Sequence, residues 1–150
     1  MNKIVRIVVM MIVGLGLLAG FGAQTAHADE IRCVGTLGAI TVDNVLVPEG
    51  RTCTLNKTRV QGTVKVADNA TLYAKTVRVN GNIQAEGAKL VSVTANSVVG
   101  GSIQVFKNTG GVKIANNTID GNLQCKENAP KPTGSNNIVG GNKEDQCARL

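Results

Sequence analysis

The chain is nearly without aromatic residues. Among 150 residues there is no Trp, one Tyr and two Phe, with only 3 Pro and 1 His. So few rings exclude a core of interlocking aromatic side chains, and they leave no series of stacking platforms for bases or sugars. Charged residues are scarce too, at 17%, which excludes the composition of a highly charged disordered tail. In their place stand 18 Gly and a large share of Val, Ile, Leu and Ala. A length of 150 residues sets one domain as the expectation.

Much of the apolar excess lies at the start. Lys3 and Arg6 precede an uncharged run from Ile7 to Phe21, and Ala26-His27-Ala28 fits the small-x-small pattern of a secretory cleavage site. That run is shorter than the ~20 apolar residues a membrane span requires. Phe21 stands where a lipoprotein would carry a cysteine after Leu18-Ala19-Gly20. Residues 1–28 are therefore expected to be a signal peptide, and residues 29–150 a single exported domain, secreted or held in the cell envelope, with no membrane span after cleavage. Removing Lys3, Arg6 and His27 leaves fourteen cations against ten acids, a net charge of +4. The mature chain then holds no His, which excludes a Ser-His-Asp triad and every histidine-containing metal site. No cofactor and no metal are expected.

The rest of the sequence repeats. Gly62, Gly81, Gly101, Gly121 and Gly141 fall 19, 20, 20 and 20 residues apart. Two places before each stands Val60, Val79, Val99, Ile119 or Val139, and two places after the first four stand Val64, Ile83, Ile103 and Leu123. Apolar residues spaced by two around a small residue describe a strand with one buried face. A fixed period of this length without helical stretches predicts an all-β fold, a parallel β-helix (solenoid) of about five rungs of ~20 residues, wound right-handed. A leucine-rich repeat would need an L-x-x-L-x-L framework, a left-handed hexapeptide coil favours a period of about 18, and an antiparallel sandwich has no reason to keep columns in register. Gln84, Gln104 and Gln124 form one polar column and Asn96, Asn116 and Asn136 another, and stacked amides of this kind are expected to hydrogen-bond to one another. Residues 29–61 follow the period loosely, and Ala129–Gly134 is expected to bulge from the last rung as a loop.

Four cysteines remain: Cys33, Cys53, Cys125 and Cys147. In an exported chain they favour disulfides, and spacings of 20 and 22 bring each pair about one rung apart, within the ~4.4–6.8 Å Cα separation a disulfide requires. Cys33–Cys53 and Cys125–Cys147 are the expected pairs, stapling the two ends. A four-thiolate zinc site would draw on C-x-x-C pairs, and none occurs.

The segments Gly121-Asn122-Leu123-Gln124-Cys125-Lys126-Glu127-Asn128 and Gly140-Gly141-Asn142-Lys143-Glu144-Asp145-Gln146-Cys147 carry a resemblance. With the rung pattern around them, the chain resembles the small exported β-helix repeat proteins of bacteria over most of residues 62–147. It is also similar to the bactofilins, polymer-forming β-helices that are cytoplasmic, from which the signal and the cysteines depart. The resemblance implies a fold and no activity.

Asp43, Asp68 and Asp120 are the acids an enzymatic reading would use. They are expected in separate columns, whereas glycoside hydrolysis needs paired carboxylates at a defined separation. The charge run from 51 to 78 is more telling: Arg51, Lys57, Arg59, Lys65, Lys75 and Arg78 face only Asp68. Arg59 and Arg78 each sit three places before a rung glycine and are expected to stack, so that Arg59, Lys65 and Arg78 form a patch able to hold an anionic polymer. The equally physical alternative is a solubilising surface. An anionic envelope polymer suits an exported chain better than nucleic acid, and the open strand edges of a coil leave room for self-association. Two function classes follow: a non-catalytic structural or surface-binding solenoid, and a minimal carbohydrate-active enzyme of lyase or hydrolase type. The non-catalytic one needs no convergent acids, and none is expected.

Overall fold

In a computed structural model of the chain, residues 29–150 are described, and the expected signal peptide lies outside them. They form a β-solenoid of about six turns whose strands build three parallel sheets, the three faces of a prism. Face A stacks Glu30–Arg32, Asn44–Val47, Val64–Val66, Ile83–Glu86, Ile103–Phe106, Leu123–Lys126 and Lys143–Asp145. Face B stacks Gly35–Leu37, Thr52–Asn56, Thr71–Lys75, Leu90–Thr94 and Val112–Ile114. Face C stacks Thr41–Val42, Arg59–Val60, Arg78–Val79, Val98–Val99, Thr118–Ile119 and Ile138–Val139. Every pairing is to the strand one turn away, so a residue's neighbours are its column mates at the ~4.8 Å strand spacing.

Alternation builds the core. On face A, Val45, Val64, Ile83, Ile103 and Leu123 occupy one inward column and are fully buried, while the residue after each points outward. Face C contributes Val60, Val79, Val99 and Ile119 to the same interior. Each such side chain contributes about 1.5–3 kcal/mol on leaving water. The glycine column has a steric cause: a Cβ on Gly121 would come within 2.8 Å of the Gly101 carbonyl carbon, so adjoining turns approach too closely for any side chain there.

The all-β solenoid is as expected, at close to the expected five rungs, and the turn that follows the period loosely is the first one. From Val42 to Val45 the corner between faces C and A takes one residue fewer than from Val60 to Val64, so the glycine of the period is missing there. The segment 129–134 does not bulge. It spends as many residues between Cys125 and Pro132 as the turn before it spends between Val105 and Val112, Pro132 is buried, and Thr133 bridges to Lys113.

Polar groups at the corners are satisfied by amide ladders. The Gln column holds outside face A: Gln84 Nε2 donates to Gln104 at 2.9 Å, Gln104 to Gln124 at 2.8 Å, and Gln124 to Glu144 at 2.8 Å. The Asn96, Asn116 and Asn136 column is different. Its amides are linked once, from Asn136 to Asn116 at 3.2 Å, and its common property is backbone: φ is 59°, 58° and 58°. Asn tolerates this left-handed conformation better than most residues, which accounts for the column. Two ladders lie inside the corners: buried Asn108 and Asn128 with half-buried Gln146 between faces A and B, and buried Ser97, Asn117 and Asn137 between B and C.

Cys33 lies against Cys53 and Cys125 against Cys147, at Cα separations of 5.5 and 5.3 Å, as two disulfides. All four are buried. The pairs are not strict column mates: Gly35 is the residue in register with Cys53, and Asp145 the one in register with Cys125. Each bond therefore runs diagonally between turns and closes one end of the core. Intact mass is expected about 4 Da below the fully reduced value, two hydrogens lost for each bond. Peptide mapping that joined Cys33 to Cys125 or Cys147 would overturn the pairing.

Candidate functional site

The three residues predicted to form a basic patch divide between two faces. Arg59 and Arg78 pair in register on face C, as expected, and both are exposed. Lys65 lies on face A, in the outward column between Leu46 and Gln84, around the C–A corner from the arginines. Two other lysines of the same charge run take its place. Lys57 sits at the corner between faces B and C, and on the next turn Lys75 ends the face B strand beside it, where the Lys57 N–H donates to the Lys75 carbonyl at 3.0 Å. Arg51 lies at the A–B corner, which also carries Glu49 and Asp68.

Larger than this patch is the sorting of charge around the prism. All ten acids of residues 29–150 lie on face A or its two flanking corners: Asp29, Glu30, Glu86, Glu144 and Asp145 on or beside the strands, and Asp43, Glu49, Asp68, Asp120 and Glu127 at the corners. Face B, face C and the B–C corner between them hold no carboxylate in any turn. They hold six cations: Lys57, Arg59, Lys75, Arg78, Lys113 and Lys131. The other eight cations share their surroundings with ten acids, so the net positive charge of these residues is carried by two faces and the edge between them. Among the described residues the single ion pair is Lys107 with Glu86, at 3.1 Å and well exposed. The Glu86 carboxylate, hydrogen-bonded to Lys107, holds that ammonium above its ordinary pKa. Two guanidinium groups stacked without a counter-ion repel by on the order of 1 kcal/mol in water-like surroundings, and a bound anion would relieve this.

The acids proposed for an enzymatic reading do not converge. Contrary to expectation, Asp43 and Asp120 share a column, each following an in-register residue of face C, Val42 and Ile119. Four turns separate them, roughly 19 Å at the strand spacing, against the ~5–9.5 Å between paired glycosidase carboxylates. Asp68 is at another corner. Among the described residues no group of three His, Cys, Asp or Glu could hold a metal ion, and no helix is long and apolar enough to cross a membrane.

Both described aromatics point outward, Tyr73 from face B and Phe106 from face A, and each lines a shallow depression. Depressions of about 350 and 320 Å³ flank Phe106 on face A and hold Glu86, Lys107, Lys126 and Glu127 as well as Lys65. Their charges are mixed. The depression beside Tyr73, about 270 Å³, contains Lys113 and Lys131 and no acid. Sequence reasoning missed Lys113 because Gly110-Gly111 lengthens the A–B corner by one residue, so its column mate Ser92 lies 21 residues back rather than 20.

Fold and surface together define a β-solenoid with acid-free, basic faces. The chain matches no protein-family model, no curated protein and no solved structure.

Proposed function

We propose that this chain is an exported, non-catalytic β-solenoid that binds an anionic polymer of the cell envelope along face C and its edge with face B. The observation that carries this reading is the sorting of all ten acids away from those faces, with Arg59 and Arg78 stacked in register and unpaired with any described carboxylate. A polymer bearing one charge per repeat unit can lie along the coil and meet Lys57, Arg59, Lys75 and Arg78 without passing an acid. Export is supported by the leader-like residues 1–28 and by two buried disulfides, which persist in oxidising compartments. Lys65, on face A, contributes where a chain wraps the C–A corner.

The test is binding of the mature protein to poly(glycerol phosphate) and to polygalacturonate across a salt series. Affinity is expected to fall steeply with salt, since such binding rests on displaced counter-ions. Arg59→Gln with Arg78→Gln is expected to weaken binding at least tenfold with the thermal midpoint nearly unchanged, because exposed charges contribute little to stability. Lys65→Gln should weaken it less, and Asp43→Asn or Asp120→Asn should leave it equal or tighter. Salt-insensitive binding would overturn the proposal. So would cleavage of the polymer that disappears on removing one acid, which is the result the carbohydrate-active enzyme reading requires.

A further inference from the structure

The depression beside Tyr73 differs from the basic edge in kind. It is concave, and it lies mainly in the fourth to sixth turns, whereas Arg59 and Arg78 lie in the second and third. Its floor is a gap in an outward column: Leu90 is in register with Thr71, but one turn further the position is Gly111, above which an added Cβ would meet nothing within 4 Å. Beside the gap runs the column Tyr73, Ser92, Lys113 and Thr133, each in register with the next. Pro130 and Lys131 close the side toward the last turn.

We propose that this depression binds an acidic pyranose, a single uronic acid unit. Lys113 and Lys131 supply two positive charges with no acid in the lining, so the occupant is an anion. Leu90, Pro130 and the Tyr73 ring offer apolar surface that a bare phosphate or sulfate cannot use, and that the C–H face of a sugar ring can. Ser92 stands one turn from both Tyr73 and Lys113 in the same column, so its hydroxyl is placed beside a ring whose carboxylate faces the lysines. A volume of about 270 Å³ is below the usual ~300–1,000 Å³ of sites for drug-sized ligands and suits one ring. The site would hold a free monosaccharide even if the chain bound no polymer.

Tyr73 is the sole Tyr and there is no Trp, so intrinsic fluorescence reports on this site directly. Galacturonate, galactose and inorganic phosphate are the probes, titrated separately into the mature protein. Galacturonate is expected to change the emission saturably, with galactose and phosphate each at least tenfold weaker. Lys113→Gln and Lys131→Gln should each weaken galacturonate three- to tenfold, and Arg59→Gln should leave it unchanged. Loss in the Arg59→Gln variant alone would place the sugar at the basic edge and overturn the proposal. Equal affinity for galactose would show that charge is not read, and equal affinity for phosphate that the ring is not read; either overturns it, as does a galacturonate titration without saturation. Loss of polymer binding in the Arg59→Gln, Arg78→Gln variant, with galacturonate binding retained, keeps this site separate from the polymer reading.

Discussion

Ile103→Asp is expected to abolish the cooperative thermal transition of residues 29–150. Ile103 is fully buried and stacked between Ile83 and Leu123, with Val105 two places along the same inward face. A carboxylate there meets apolar side chains on every side. Burying an uncompensated charge costs several kcal/mol, on top of the lost burial of the isoleucine. A small domain has only about 5–15 kcal/mol to lose. Gln84→Asp is the control, because Gln84 faces outward and loses one amide link, to Gln104 at 2.9 Å. Its cost should be near the ~0.5–1.5 kcal/mol of an ordinary hydrogen bond. Circular dichroism against temperature reads both. Equal stability of the two variants would mean that the inward and outward columns of face A are misassigned.

Asn128→Ala should be the most damaging polar substitution. Asn128 is buried at the A–B corner, where its Nδ2 donates to the Val105 carbonyl at 2.9 Å and to Gln146 Oε1 at 3.1 Å. Its Oδ1 accepts from the Asn108 backbone N–H at 3.0 Å and from Asn108 Nδ2 at 2.8 Å. Truncation leaves two Asn108 donors without their partner and removes the bond to the Val105 carbonyl, at about 1–3 kcal/mol for each buried group left unsatisfied. A loss of about 2 kcal/mol or more is therefore the order of magnitude expected from those unpaired groups. Asn136→Ala makes the contrast: Asn136 is exposed and its side chain donates one bond, to Asn116 at 3.2 Å. Denaturant unfolding should show Asn128→Ala falling well below Asn136→Ala. The reverse order would mean that the buried ladder carries little stability and that the left-handed backbone at Asn136 carries more.

Much of this was legible without coordinates, for a reason peculiar to coils. In a solenoid each residue's neighbours stand one period away in sequence, so a period and its apolar columns already specify which side chains touch. The inward columns through Ile83 and Ile103, the Gln ladder, the Arg59–Arg78 stack and the cysteine pairs followed from counting by 19 to 22. The buried Asn108–Asn128 ladder was equally present in that count. Its inward direction was not, because a corner residue belongs to neither strand alternation and its orientation depends on the backbone path around the turn.

Sequence by itself thus determined the repeating strand architecture, the stacking partners and the two cystine staples, all of which depend on distance along the chain modulo one turn. Tertiary structure decided which face each charge occupies. Corners lose a residue between Val42 and Val45 and gain one at Gly110-Gly111, and every such change rotates the following side chains against a simple count. Lys65 and Arg59, six places apart, stand on different sheets because the C–A corner falls between them, while Lys113 joins Ser92 and Tyr73 across turns of unequal length. The separation of ten acids from two whole faces exists only once three-sided winding has assigned each residue a direction, since charge is sorted around the axis of the coil and not along its chain.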